Sequence, residues 1–297
     1  PGSFGMVNDK KGETDGFVFT DINTVVNAFH YRALELLSKI AITLGKYEDY
    51  KYYSKRASNL KDVFNEKLFD NNRGVYKDGI DTEHASLHAN MFPLAFGMVE
   101  DKNKDLVLEF IRSRGMACSV YGSQFLLDGI YDAGDADYGL ELLTSTGKRS
   151  WYNMIRIGST ITTEAWDDVF KPNQDWNHAW GAAPANLIPR KLMGIEPMEP
   201  GFSKIRIKPQ PATLKSAAIK YPTIKGDIFM EFINNPEESF ELSVEIPANT
   251  TADIYLPYYN KNQKVKMNDK SVKFSHDDNF IVIKSVGSGR WVFSVTP

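Results

Sequence analysis

Apolar residues recur at steps of three and four through the first part of the chain and at steps of two through the last third. Over residues 21–45, Val26, Phe29, Ala33, Leu37, Ile40 and Leu44 mark one face of a long helix, with Thr20 or Asp21 as its cap and Gly45 as its stop. A second helix is predicted over 48–68, with Tyr50, Tyr53, Ala57, Leu60, Phe64 and Leu68 on its buried stripe. The turn residues of NNRG and KDG close it. Two further pairs follow, 82–99 with 104–114 and 120–132 with 136–144, joined by EDKNK and AGD. These three helical hairpins lack the fixed period of a short-repeat solenoid. Residues 147–176 fit neither period and read as a long loop, which in a compact domain usually carries function. A last helix is predicted from Asn177 to Met193, capped by Asp175 or Asn177 and kinked at Pro184.

After MEPGF the helical spacing stops. Eight short alternating runs follow: KIRIKP, AAIKYPT, GDIFMEFI, FELSVEIP, TADIYLP, KVKMN, NFIVIKSV and RWVFSVT. Their even spacing and Pro, Asn or Gly ends predict an antiparallel β-sandwich, with Phe240, Leu242, Val244 and Ile246 inward and Glu241, Ser243 and Glu245 outward. The expected domains are therefore 1–199, helical, and 200–297, sandwich.

Composition narrows the function more than the fold. With 297 residues the chain can bury a large core, and a formal charge of −3 provides no electrostatic basis for binding nucleic acid or anionic lipid. One cysteine, Cys118, excludes an internal disulfide framework and cannot make a structural zinc site unaided. The apolar runs are too short and interrupted to span a bilayer. The lead PGSFGMVNDKKGETDG has no apolar core of a signal peptide and reads as a loop or the middle of a longer chain.

The chemistry concentrates in TITTEAWDDVFKPNQDWNHAWG, residues 160–181. It holds three of the five tryptophans (Trp166, Trp176, Trp180), the acids Glu164, Asp167, Asp168 and Asp175, and His178. Carboxylates beside flat apolar faces suit a sugar, which needs acid–base groups at its acetal and an apolar surface for its ring. A structural loop pinned by buried tryptophans, with a solvated acidic rim, reads the same residues without chemistry. His84 and His88 stand one helical turn apart but have no third ligand at suitable spacing, so no metal is expected.

TTEAWD, KPNQDWNHAWGAAPANLIPRKLMGI and EPGFSKIRIKP, at the junction of helices and strands, resemble the α-L-rhamnosidases of glycoside hydrolase family 78. FVFTDINTVVNAFHYRALELLSKIAITLGK resembles a helix of that family's catalytic barrel, and AAIKYPTIKGDI and VEIPANTTADIYLP resemble strands of its C-terminal sandwich. The resemblance covers nearly the whole chain, and DWNHAWGA is its most specific part. It implies an all-α six-hairpin (α/α)6 toroid, of which this chain is the C-terminal half, followed by the β-sandwich. The remaining N-terminal half would carry the general acid and further sugar-binding carboxylates, so the chain alone is expected to be inactive.

The resemblance also implies inverting hydrolysis of terminal α-L-rhamnosyl residues from a glycan or glycoside, without a cofactor. Inverting glycosidases hold two carboxyl groups about 6.5–9.5 Å apart, with a water between base and sugar. Glu164 matches the family's general base, and its alternative is a loop carboxylate capping a turn. His178 matches a histidine at the sugar. Trp166 and Trp176 are candidates to stack on the deoxy-sugar, and Asp175 to bind it or cap the helix. Phe17 and Phe19 are placed at the pocket mouth, and Trp180 in the core of the last helix. Glycan chemistry points to the periplasm or the cell exterior. Two other readings stay open: a six-hairpin enzyme for a different sugar, and a carbohydrate-binding or interaction fragment without catalysis.

Overall fold

A computed structural model describes residues 13–236, 238–277 and 279–297; residues 1–12, most of the predicted lead, lie outside it. The chain divides into two compact units, Pro1–Ala183 and Pro184–Pro297.

The first unit is helical. Helices α1 (Thr24–Thr43), α2 (Tyr47–Leu68), α3 (Leu87–Ala95), α4 (Lys104–Arg114), α5 (Ser123–Asp132) and α6 (Ala136–Thr144) match the six predicted segments. A two-stranded hairpin, β1 (Phe69–Asp70) and β2 (Val75–Tyr76), joins α2 to α3. Asn23 rather than Thr20 or Asp21 caps α1, its side chain accepting the Val26 N–H at 3.0 Å, because the Thr20 hydroxyl donates to the Ile22 carbonyl instead. Gly45 ends the helix with φ +69°, a backbone conformation that costs glycine little. Helix α3 starts later than predicted. His84 is drawn to the buried carboxylate of Asp78 at 2.6 Å, and Ser86 supplies the cap, accepting the Ala89 N–H at 3.2 Å.

The predicted stripe of α1 is the wrong face. Thr24, Ala28, Tyr31, Leu34, Ser38 and Ala41 are buried, whereas Val26, Phe29, Leu37, Ile40 and Leu44 are exposed. The helix is apolar on both sides, and periodicity weighted by side-chain bulk selects the larger stripe. Burial falls on the smaller one, where Ala and Ser let a neighbouring backbone come close, although Phe29 of the larger stripe still packs against Phe92, Phe96 and Phe125. On α2 the predicted stripe holds at Ala57, Phe64 and Leu68, which are buried.

Two predicted stretches differ in kind. The supposed loop 147–176 contains a short helix, α7 (Trp151–Arg156), capped by Ser150, whose hydroxyl accepts the Asn153 N–H at 3.1 Å. The single helix predicted over 177–193 is three pieces: a 3-10 turn Ala179–Ala182, α8 (Ala183–Leu187) and a π turn Ile188–Leu192. Pro184 and Pro189 have no N–H to donate and interrupt one continuous ladder. His178 is the last extended residue before the turn, and neither Asp175 nor Asn177 caps it.

The second unit carries the β-structure, and all eight alternating runs are strands. Short strand β3 (Ile195–Pro197) precedes β4 (Lys204–Ile207), β5 (Ser216–Thr223), β6 (Gly226–Asn235), β7 (Ser239–Ile246) and β8 (Thr251–Pro257). Then come β9 (Lys264–Met267), β10 (Lys270–Ser271), β11 (Ser275–Asp277), β12 (Phe280–Val286) and β13 (Gly289–Thr296). One sheet has the order β10-β9-β13-β7-β6-β5 and the other β11-β12-β8-β4-β3. Every described pairing is antiparallel except β4 with β8. Phe240, Leu242, Val244 and Ile246 are buried as predicted, since successive side chains of a strand alternate between core and solvent. Strand β3 pairs with β4 ahead of residue 200, so the sheets begin upstream of the change in sequence pattern. Among the described residues no helix is long and apolar enough to cross a membrane.

Candidate active site

The segment between α7 and the 3-10 turn is folded back on itself by its own backbone. The Glu164 N–H donates to the Asp175 carbonyl at 2.9 Å, and the His178 N–H to the Thr162 carbonyl at 2.8 Å. The Thr162 hydroxyl returns a bond to the His178 carbonyl at 2.8 Å. These pairings bring Glu164 and His178 together although fourteen positions separate them. The underside is held from within: Asn153 donates to the Trp166 carbonyl at 2.8 Å, and Gln174 accepts the Ala165 N–H at 3.0 Å. Gly181 fits closely under the loop, where a Cβ would stand 2.6 Å from Thr162.

Glu164 points from this frame into a cavity of about 480 Å³. Glu13, Phe17, Phe19, His88, Tyr121, Phe170, Lys171 and Trp180 share its lining. One carboxylate oxygen of Glu164 accepts the Lys171 ammonium, and the other accepts the Asp175 N–H at 3.1 Å. The hydrogen bond from Lys171 holds this carboxyl below the usual range. Partial burial opposes the shift, while the Asp175 N–H and the charges of Lys171 and His178 reinforce it. The group is thus an ionised acceptor at neutral pH. His178 stacks on Trp180 with ring centroids 4.0 Å apart and planes 24° from parallel. The Trp180 indole N–H donates to the Glu164 main-chain carbonyl at 3.2 Å, which ties this aromatic pair to the Glu164 backbone. Nδ1 of His178 is buried without a hydrogen-bond partner among the described residues.

The tryptophans sort differently from expectation. Trp166 is 0% exposed: its indole N–H donates to the Cys118 carbonyl at 2.7 Å, and its ring meets Trp151 edge-on at 5.0 Å. It has no face to give a sugar and anchors the loop. Trp180, expected in the core, is 41% exposed and lines the cavity beside Tyr121. Trp176 is 43% exposed and is not part of the cavity lining. Asp175 acts through its backbone, with an exposed carboxylate. Phe17 and Phe19 meet edge-to-face at 5.0 Å on the cavity wall.

Glu13 and Lys171 stand here with no role expected from the sequence, and His88, weighed there only as half of a metal pair, lines the same cavity. Only Lys171 had a local signal, being a cation seven positions from Glu164 in the same loop. His84 is taken by Asp78, and no group of three or more ligating side chains among the described residues is placed to hold a metal.

Residues 6–192 match the profile of the bacterial α-L-rhamnosidase six-hairpin glycosidase domain, and residues 194–271 match that of the bacterial α-L-rhamnosidase C-terminal domain. The chain belongs to the bacterial α-L-rhamnosidase family. It is 29% identical over 248 residues to an α-L-rhamnosidase of Alteromonas sp. (strain LOR), an alignment covering 80% of this chain and 27% of that protein. It is 27% identical over 281 residues to one of Formosa agariphila, covering 90% of this chain and 29% of the relative. Among solved structures, the α-L-rhamnosidase from Dictyoglumus thermophilum superposes with a TM-score of 0.79 at 25% identity, covering 91% of this chain and 31% of that one. The helices are therefore those of a six-hairpin glycosidase domain and the strands those of the rhamnosidase C-terminal β-sandwich. The chain spans less than a third of the length of these rhamnosidases.

Proposed function

We propose that this chain supplies the water-activating side of a sugar pocket in an enzyme that removes terminal α-L-rhamnosyl residues from glycans or glycosides with inversion. The observation that carries this reading is Glu164, fixed by Lys171 and the Asp175 N–H on the wall of a cavity of about 480 Å³ and kept ionised there. An ionised carboxylate with two fixed partners accepts the proton of an attacking water. The exposed faces of Trp180 and Tyr121, with Phe17 and Phe19, suit the apolar side and methyl group of a deoxy-sugar. His178, which is not part of the cavity lining itself, is assigned to orient a sugar hydroxyl from its place on Trp180, which is. Protonation of the leaving group is assigned to a carboxylic acid on the part of the relatives' length that this chain does not span.

The test is hydrolysis of an aryl α-L-rhamnoside by the full-length protein. Glu164→Gln should lower kcat by roughly 10²–10⁴ while sugar binding persists. Nuclear magnetic resonance of the first product formed should find the β-anomer. An unchanged rate would remove Glu164 as the base, and an α-anomer formed first would remove inversion.

A further inference from the structure

A second carboxyl faces the same cavity, and water activation at Glu164 makes no use of it. Glu13 comes from the segment before α1, and its Oε1 accepts the Trp166 N–H at 3.2 Å, two residues past Glu164. A bond across 153 positions ties the start of the described chain to the loop that carries the base. Around Glu13 stand Arg149, Glu164 and Lys171, with the neutral His88 and the buried Cys118 thiol nearby. Asp15, two residues on, is taken by Arg114, whose Nε donates to it at 2.8 Å.

We propose that Glu13 is a second functional carboxyl of this pocket: one oxygen clamps the Glu164 loop at Trp166, and the other donates its O–H to an oxygen of the sugar. The second half rests on the rhamnoside reading given above; the clamp does not. Burial pushes the Glu13 carboxyl up to about 7 and the Glu164 charge adds to this, against the Trp166 N–H and the Arg149 and Lys171 cations. A neutral carboxyl has both an acceptor for the Trp166 N–H and an O–H for a sugar oxygen. Once ionised it can only accept, and it repels the Glu164 carboxylate. The sugar contact therefore belongs to the protonated form and weakens as pH rises through about 7.

Two measurements on the full-length protein test the two halves separately. Hydrogen exchange at the Trp166 amide should quicken roughly tenfold in Glu13→Ala and stay slow in Glu13→Gln, whose carboxamide oxygen still accepts. Exchange in Glu13→Ala at the wild-type rate overturns the clamp. L-Rhamnose affinity of the wild type should fall roughly three- to tenfold between about pH 6 and pH 8, and the fall should vanish in Glu13→Gln. The same fall in both proteins overturns the sugar contact. Absence of L-rhamnose binding in the wild type at either pH overturns the rhamnoside reading and the contact with it, and the exchange measurement still decides the clamp.

Discussion

Trp166 and Trp176 flank the candidate base loop with similar sequence credentials and opposite surroundings, so their replacement separates anchoring from sugar stacking. Trp166→Phe removes the indole donor to the Cys118 carbonyl, a loss of about 1–3 kcal/mol when the acceptor is buried. The smaller ring leaves a void in a fully buried position and adds about 1 kcal/mol or more. The edge-on contact with Trp151 survives in part, so the total cost should be about 2–4 kcal/mol. Trp176→Ala, at a position 43% exposed, should cost less than about 1 kcal/mol. Urea unfolding followed by far-ultraviolet circular dichroism reads the helices without depending on the tryptophans themselves. The reasoning is refuted if Trp166→Phe costs less than about 0.5 kcal/mol, a size typical of surface substitutions, while weakening sugar binding.

Three further outcomes follow from the same geometry. Lys171→Met removes the strongest influence keeping Glu164 ionised, so the acidic limb of kcat/KM for an aryl rhamnoside should move to higher pH; an unmoved limb rejects the Lys171–Glu164 pair as its origin. Glu13 holds its proton more tightly folded, at about 7, than unfolded, at 4.5, so its contribution makes the wild type lose stability as pH rises from about 4.5 to about 7. Glu13→Gln should remove up to about 3 kcal/mol of that decline, and equal slopes for both proteins in urea titrations across this window would contradict the raised carboxyl. Asn23→Ala deletes the α1 cap and should cost about 0.5–2 kcal/mol, whereas Thr20→Ala and Asp21→Ala should each cost less, an order that thermal unfolding can rank.

The strands were legible because a sheet with one buried face forces polar and apolar residues to alternate, and each run from KIRIKP to RWVFSVT obeys that rule. Short β3, β10 and β11 leave too few residues to show it. Helix positions were legible for the same reason, but not always their orientation. A helix with apolar groups all round gives two admissible stripes, and nothing local states which one meets a neighbour. On α1 the buried stripe is Ala28, Tyr31, Leu34, Ser38 and Ala41, while Phe29 of the other stripe meets Phe92, Phe96 and Phe125 and Ile40 stays exposed. The segment 179–192 failed for another reason. Helical spacing across two prolines within six positions predicts one kinked helix, whereas each missing N–H changes the hydrogen-bond pattern around it.

Counting acids and aromatic rings assigns chemistry to side chains, and in this loop part of the chemistry belongs to the backbone. The sequence points to the carboxylate of Asp175, yet this residue holds Glu164 through its carbonyl on one side and its N–H on the other, a role open to any residue but proline. Trp166 and Trp180 stand fourteen positions apart in one acidic, aromatic stretch, and one is anchor while the other is pocket wall. What divides them is the pairing of 162 with 178 and of 164 with 175, which turns Trp166 under the loop and brings Trp180 up beside Glu164. Glu13 makes the same argument at long range. No local pattern marks it, and its claim to function exists only because the fold sets it against Trp166, where burial, with the Glu164 charge added, raises its carboxyl to about 7.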